Sequence, residues 1–218
     1  TLGGTKTRAN LEDYIQSFSD NARVIFEQFD FDTIIVKLDK AGRLLEVCDS
    51  FANIELHPDV VPDRTMSNVY EHLIARFGSE VGTGSEDFMT PRDVVHLAAT
   101  LLLAPDNELF EQQQGGLIRT MYDQTCGTAG FLTDIMNYAD SYRDQYGVAP
   151  TLIPFGQEIQ PETHAVALGS MLLKKLTTDP NRDLSANIKL GSTLSDDQFA
   201  GQRFHYQCSN PPFGMKWE

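Results

Sequence analysis

From residue 90 onward, predicted strands and helices alternate, and this alternation constrains the fold more than any other feature of the chain. Short apolar segments predict four strands, at residues 117–122, 151–159, 187–190 and 204–208. Helical periodicity predicts helices at residues 90–103, 129–146 and 161–176. Thr90 is predicted as the N-cap of the first helix, with Pro91 at its first position. Strands joined through helices pair in parallel, so the sequence predicts an α/β fold, a parallel sheet with helices on both faces.

The N-terminal part of the chain lacks this alternation and is predicted as helical. Apolar residues recur at helical spacing across residues 11–29, 34–51 and 69–77. A stretch rich in glycine, serine and acids at residues 78–87 is predicted as a flexible connection. The sequence therefore predicts two domains, a helical one at residues 1–85 and a sheet domain at residues 86–218.

The cysteine spacing and the hydropathy of the sequence bear on whether disulfides, metal sites or membrane spans are expected, and on where in the cell the protein works. Cys48, Cys126 and Cys208 stand far apart, outside any CxxC pattern, and the five histidines have no ligand spacing. We therefore expect no disulfide and no metal site, and a reducing cytoplasm is the predicted location. The sequence has no run of about eighteen apolar residues, the length that a membrane span needs, so no membrane association is expected.

The charge balance is strongly acidic. The chain has 31 acidic and 17 basic side chains, for a formal net charge of −14. Such a surface repels phosphate, so the chain alone should bind nucleic acid poorly. If nucleic acid is the substrate, another chain or a further segment must supply most of the binding energy.

The segment after the first predicted strand combines an acid with a glycine loop. Asp123 is followed by Gly127 and Gly130, which lie in the turn toward the next helix. Ligands of open α/β sheets lie at the carboxyl ends of the strands, and glycines allow close approach of the backbone. The loop lacks the G-x-G-x-x-G pattern, and its acid suits a partly cationic ligand better than a pyrophosphate. A turn that serves only helix packing is the alternative.

Two further strand ends carry polar residues. Glu158 ends the second strand, where an acid commonly accepts hydrogen bonds from ribose hydroxyls. Surface acids are also common at such positions, so this residue alone is a weak signal. Ser192 follows the third strand and tells little by itself.

The fourth strand is followed directly by Asn210, Pro211, Pro212 and Phe213. Consecutive prolines remove two backbone donors and hold the segment extended and rigid. The Asn210 amide oxygen and the following backbone carbonyl are two acceptors that can hold an exocyclic amino group, while Phe213 offers a stacking face. The alternative is a proline-rich turn that only ends a strand.

These motifs together resemble those of the amino-group DNA methyltransferases. The Asn-Pro-Pro-Phe segment and the Asp-x-x-Cys-Gly-Thr-x-Gly-Phe-Leu segment that starts at Asp123 carry the resemblance, and Phe88-Met-Thr-Pro-Arg92 precedes them in the expected order. More specifically, essentially the whole sequence resembles the modification subunit of type I restriction-modification systems. Three positions depart from the common pattern: Gln124 stands where proline is frequent, Ala129 where glycine is frequent, and Ser192 where many related enzymes have an acid that contacts the adenine of the cofactor.

The resemblance implies a Rossmann-like S-adenosylmethionine-dependent methyltransferase sheet behind a helical N-terminal domain. It implies that the target amine is held by Asn210, Pro211, Pro212 and Phe213. It implies that S-adenosylmethionine is bound by Asp87, Phe88, Met89, Thr90, Pro91, Arg92, Asp123, Gly127, Thr128, Ala129, Gly130 and Glu158. No metal is implied.

The implied activity is methylation of adenine N6 in double-stranded DNA within a complex. A specificity subunit reads the DNA sequence in that family, and a restriction subunit can join. The chain ends five residues after Phe213, whereas such a sheet needs roughly three more strands, so we expect a piece of a longer protein. Two alternatives stay open: a non-catalytic assembly remnant, and a methyltransferase that acts on protein glutamine or on RNA.

Overall fold

The computed structural model describes residues 6–57, 59–80, 90–112, 116–147, 150–178 and 182–212. Its sheet has four parallel strands: β1 (Ile118–Asp123), β2 (Thr151–Glu158), β3 (Ile188–Leu190) and β4 (Tyr206–Gln207). Their order across the sheet is β3-β2-β1-β4, and β1 pairs with β2 over its whole length. The predicted strands and their parallel pairing are confirmed, with ends that differ by one or two residues.

Three helices cover one face of this sheet: α6 (Arg92–Leu103), α8 (Gly130–Tyr146) and α9 (Pro161–Thr178). Their apolar sides form one buried core with Met121 of β1 and Leu152 of β2. Burial of these side chains supplies the main driving force that fixes the helices on the sheet. A short helix that the sequence did not indicate, α7 (Asn107–Gln112), adds Phe110 to the same core.

Aromatic residues, rather than a helix, cover the opposite face in the part of the chain that the structure describes. Successive strand residues point to opposite faces, so Tyr122 lies across the sheet from Met121. Tyr122 stacks on Phe204 at 4.7 Å between ring centroids, and Phe199 meets Tyr122 edge-on at 5.3 Å. Both partners belong to the segment between β3 and β4. The predicted arrangement of helices on both faces is therefore wrong for the described residues.

The N-terminal part is helical, as predicted. Its helices are α1 (Thr7–Gln16), α2 (Asp20–Gln28), α3 (Phe31–Lys40), α4 (Leu44–Ala52) and α5 (Asp63–Glu80). The continuous periodicity across residues 11–29 is interrupted, because the Ser17 hydroxyl donates to the Tyr14 carbonyl at 2.6 Å and Ser19 is extended. Serine side chains compete for backbone hydrogen bonds in this way and favour helix ends.

The helical part packs directly on the sheet domain through α9. Val24 and Ile25 of α2 contact the main core. His164 of α9 is buried; its Nε2 donates to the Ile188 carbonyl at 3.2 Å, and its Nδ1 lies 2.9 Å from the Gln28 side-chain oxygen. Burial lowers the pKa of His164. This histidine joins α2, α9 and β3, which makes it a structural residue.

A second contact joins α5 to α9 through Tyr70 and Gly169. It predicts that replacing Gly169 by alanine lowers stability when the Tyr70 side chain is present and raises stability when it is removed. An ideal Cβ at Gly169 would lie 2.3 Å from the Tyr70 hydroxyl oxygen, which donates to the Val166 carbonyl at 3.2 Å. We expect Gly169→Ala to destabilise the protein by about 1 kcal/mol, because Tyr70 must move. In a Tyr70→Ala background the same change should stabilise it by up to about 1 kcal/mol, through helix propensity. Urea unfolding of the four variants measures both; destabilisation in both backgrounds would contradict this account.

Two sequence-based boundaries need correction. Helix α6 begins at Arg92, and Thr90 is not its N-cap, since Pro91 occupies that position and its carbonyl accepts from Val95 at 3.0 Å. The predicted connection at residues 78–87 is helical up to Glu80, and the rest of it lies outside the described residues. Among the described residues, no helix has the length and apolar character needed to cross a membrane.

Candidate active site

The strand order places one crevice of the sheet beside the motif residues. From β1 the chain proceeds outward to β2 and β3, then returns to pair β4 on the other side of β1. Ligands bind at such a reversal, outside the carboxyl ends of the strands. Asp123 ends β1, Glu158 ends β2, and Asn210 follows β4, so all three lie along this edge.

The glycine loop after β1 has a strained backbone. Gly127 has φ of +55° and Ala129 has φ of +68°. The left-handed conformation costs a non-glycine residue roughly 1–2 kcal/mol, and Ala129, which is fully buried, is held there by its amide, which donates to the Cys126 carbonyl at 2.7 Å. This turn leads directly into α8, which begins at Gly130.

Glu158 fixes the glycine loop against β2. Its Oε2 accepts from the Gly127 amide at 3.0 Å, and its Oε1 accepts from the Gln160 amide at 2.8 Å. The Cys126 amide also donates to the Gln157 carbonyl at 3.0 Å. Each carboxylate oxygen can accept a second hydrogen bond, so the half-buried Glu158 retains acceptor capacity for a ligand diol.

Asp123 is a buried acid with a perturbed pKa. Its side chain is 1% exposed, and burial raises its pKa to about 7, with the negative charge of Glu158 acting in the same direction. Hydrogen bonds from the Thr125 amide, at 3.1 Å, and from the Ser209 hydroxyl oppose that rise in pKa. A carboxylate in such a place is stabilised by a nearby positive charge.

The segment around Asn210 is hydrogen-bonded to two of the other motifs. The hydroxyls of Ser209 and Thr125 lie 2.6 Å apart, which ties the end of β4 to the glycine loop. The Asn210 Nδ2 donates to Thr90 Oγ1 at 2.9 Å, which ties it to the start of α6. Residues far apart in the sequence thus form one connected site.

The remaining motif residues surround this arrangement. The Thr128 carbonyl accepts from the Ser170 hydroxyl at 3.2 Å. In the part of the chain that the structure describes, an ideal Cβ at Gly130 would meet no atom within 4 Å beyond its chain neighbours and its own helix. Pro91 is the N-cap of α6 and Arg92 its first residue, and Pro211 and Pro212 are exposed after Asn210. Four residues implied by the resemblance lie outside the described residues: Asp87, Phe88, Met89 and Phe213.

Sequence reasoning missed the residues that assemble the loops. Thr125 and Ser209 carry no motif signal, since they meet only after the sheet forms. Gln157 is fully buried, and its Nε2 donates to the Asp196 carbonyl at 2.7 Å, which shapes the segment after β3. In that segment the side chain of Thr193, next to Ser192, donates to the Gln124 carbonyl at 2.5 Å.

All three cysteines are free thiols. Burial raises the pKa of Cys126 well above its ordinary value, as expected of a small buried residue beside Asp123 and Glu158 rather than of a reactive thiolate. Within the described ranges, no group of three or more His, Cys, Asp or Glu side chains is arranged to hold a metal ion.

Comparison with known proteins identifies the family. The family model for N-6 DNA methylases matches residues 62–218, which is more than half of the chain. The chain belongs to the N-6 DNA methylase family. Residues 62–218 contain every motif residue of the site described above, together with α5 and the four strands.

Individual N-6 DNA methylase relatives match the chain over part of their own length. The chain is 27% identical to the type I restriction enzyme EcoKI methylase subunit of Escherichia coli over 157 residues, covering 67% of this chain and 27% of that protein. It is 20% identical to the MpnII methylase subunit of Mycoplasma pneumoniae, covering 85% of this chain and 32% of that one. The chain therefore spans about a third or less of these relatives.

A solved structure confirms the N-6 DNA methylase fold. A type I restriction-modification methyltransferase subunit from Streptococcus thermophilus superposes with a TM-score of 0.65 at 22% identity, over 99% of this chain and 44% of that one. At this identity the likeness concerns the fold alone. The predicted Rossmann-like methyltransferase fold, with its helical N-terminal part, is confirmed.

Proposed function

We propose that this chain is the cofactor-binding and target-amine-binding part of a type I modification subunit, which methylates adenine N6 in DNA. The observation that carries the proposal is the joining of Asn210 to the acidic glycine loop: Ser209 contacts Thr125 beside Asp123, and Asn210 contacts Thr90. An acceptor for an amine and an acidic cofactor loop then share one crevice.

The donors and acceptors of the crevice fit S-adenosylmethionine. This cofactor is cationic at sulfur and at its amino group and carries a ribose diol; when bound, it supplies an electrophilic methyl group. Asp123 stabilises a positive charge, Glu158 accepts hydrogen bonds from the diol, and Thr128 to Gly130 line the amino-acid end. Pro91 and Arg92 complete the described part of the site at the start of α6, and Asp87, Phe88 and Met89, which the resemblance adds, lie outside the described residues. Among the described residues, an ideal Cβ at Gly127 or Gly130 meets no atom within 4 Å beyond its chain neighbours and its own helix, which is consistent with space for a ligand.

Asn210 and the residues after it perform the recognition of the amine. The Asn210 side-chain oxygen and the Pro211 carbonyl accept the two N–H bonds of the exocyclic amino group, which directs the nitrogen lone pair toward the methyl group. Pro211 and Pro212 hold these acceptors rigid, and Phe213 stacks on the extruded base. Catalysis then rests on positioning and on exclusion of water, without a metal or a covalent intermediate.

The charge of the chain favours DNA binding through a complex. With a net charge of −14, the chain itself adds little favourable energy with phosphates. A specificity subunit that reads the double-stranded DNA supplies this binding, and a restriction subunit joins the same complex. Such a complex works in the cytoplasm, where its substrate lies.

Titration of S-adenosylmethionine into the protein, followed by calorimetry, tests the proposal. We expect the wild type to bind and the affinity of Gly130→Trp to be at least about a hundredfold lower, because the added side chain starts in space at the loop that the described residues leave open and that the cofactor needs. Ser141→Trp, at an exposed position on the same helix, is the matched control and should bind normally. Absence of binding by the folded wild type would favour a non-catalytic assembly protein.

A further inference from the structure

One hydrogen bond in the crevice joins two motifs that the sequence places 120 positions apart. The Asn210 Nδ2 donates to Thr90 Oγ1 at 2.9 Å, and both side chains are half-buried. Thr90 precedes α6 and, by its sequence context, is expected to serve either as a helix cap or as a cofactor contact. In the structure its hydroxyl instead accepts from the side-chain amide of Asn210.

The direction of this hydrogen bond determines what Asn210 offers to a ligand. A side-chain amide is planar, with its donor nitrogen and acceptor oxygen on separate branches. When Nδ2 is engaged by Thr90, the oxygen points away from Thr90 and keeps its lone pairs free. If the amide were reversed, the hydroxyl proton of Thr90 would occupy that oxygen, and the loop would offer an N–H group to an amine, which also carries N–H groups.

The backbone on either side of Asn210 is also fixed. Ser209 is held through its hydroxyl, 2.6 Å from that of Thr125, and Pro211 and Pro212 restrict the chain on the other side. The rotation of the Asn210 side chain is therefore the main freedom left in this segment. The hydrogen bond to Thr90 restricts that rotation.

We propose that Thr90 is a positioning residue for the target amine: its hydroxyl orients the Asn210 amide so that the oxygen faces the amino group to be methylated. This inference rests on the proposed function, in which Asn210 binds that amine. Thr90 itself need not touch the substrate. Its contribution is to keep the acceptor in the one orientation that a primary amine can use.

A double-mutant cycle on stability tests the contact separately from any activity. Thr90→Val, Asn210→Ala and the double variant are made in the full-length subunit, and their unfolding equilibria are measured in urea. We expect the two changes to be non-additive, by about threefold in the unfolding equilibrium constant, because each removes the same hydrogen bond. Additive effects would overturn the proposal.

Single-turnover methyl transfer in the assembled complex tests the role of the contact. At saturating S-adenosylmethionine and DNA, Thr90→Val should transfer about tenfold more slowly, while its cofactor affinity stays within about threefold of the wild type, within the normal scatter of such variants. Thr90→Ser keeps the hydroxyl and should restore most of the rate. Thr100→Val, the same substitution within α6, should behave as the wild type.

The possible results separate this proposal from the proposed function. A loss of cofactor affinity with an unchanged saturated rate would assign Thr90 to the cofactor and overturn the positioning role. An unchanged rate and affinity would overturn it as well. A wild-type complex that binds no cofactor and transfers no methyl group would refute the proposed function itself, while the stability cycle would still report whether Thr90 holds Asn210.

Discussion

Asn210→Ala should lower the rate of methyl transfer by about a thousandfold, with little change in cofactor affinity. The variant removes an oriented acceptor at the reacting centre, and loss of one such preorganised group typically costs about 10²–10³ in rate. Misplacement of the amine adds to that cost. The glycine loop, Asp123 and Glu158 keep their own hydrogen bonds, so the cofactor site should persist.

The measurement is single-turnover transfer from labelled S-adenosylmethionine to adenine in the assembled complex, beside calorimetry of cofactor binding. Asn10→Ala, at an exposed position on α1, is the matched control. Transfer by Asn210→Ala at the wild-type rate would refute the assignment of Asn210. Loss of cofactor binding together with activity would instead indicate that the site had collapsed.

The parts of the fold that were predicted from the sequence depend on local patterns. The strands β1 and β2 are short apolar segments that each end in an acid, and Pro161 stands at the first position of α9. Such patterns depend on interactions within a few residues, so they also determine the local structure of the folded chain. The glycine loop and the Asn-Pro-Pro segment were found for the same reason: their chemistry lies within one short stretch.

The sequence-based predictions were wrong where a contact between residues distant in the sequence outweighed the preference of a short local segment. Thr90 followed by Pro91 satisfies the local rule for a helix start, but in the structure the Thr90 hydroxyl accepts a hydrogen bond from the Asn210 side chain. The segment between β3 and β4 has no helical pattern, and its Phe199 and Phe204 cover a sheet face that was expected to carry a helix. Contacts of this kind depend on the tertiary structure, which periodicity does not encode.

The sequence indicated where the acids of the candidate site lie, but not the contacts that hold them there. Asp123 and Glu158 were both expected at the crevice, as acids suited to a cationic ligand with a diol. Their support by the Thr125 and Gln160 amides, and the burial that raises the pKa of Asp123 to about 7, follow only from the folded structure. The electrostatic behaviour of this acid therefore yields a prediction that the sequence alone could not give.

Asp123→Asn should stabilise the ligand-free protein above pH 7 and weaken its binding of S-adenosylmethionine. The pKa of Asp123 rises from its ordinary 3.8 to about 7 on folding, so between these values the folded protein holds a proton that the unfolded chain has lost. Stability therefore falls as the pH rises from 4 to 7 and then levels off. At about 1.4 kcal/mol for each pKa unit, Asp123→Asn should be more stable at pH 8 by up to about 4 kcal/mol.

Cofactor binding should change in the opposite direction, because a positive charge next to Asp123 favours its ionised form. In the wild type the affinity should fall by up to about tenfold for each pH unit below 7, since the bound state must first lose the proton. Asp123→Asn should bind S-adenosylmethionine more weakly at pH 8 and lose this pH dependence. Asp13→Asn, at an exposed acid on α1, changes the net charge equally and should leave both stability and cofactor affinity unaltered.

Urea unfolding and calorimetry between pH 5 and pH 8.5 give the pH profiles of stability and of cofactor affinity. A variant less stable than the wild type at pH 8 would show that the ionised carboxylate stabilises the fold, and a cofactor affinity independent of pH in the wild type would place the cofactor's positive charge away from Asp123.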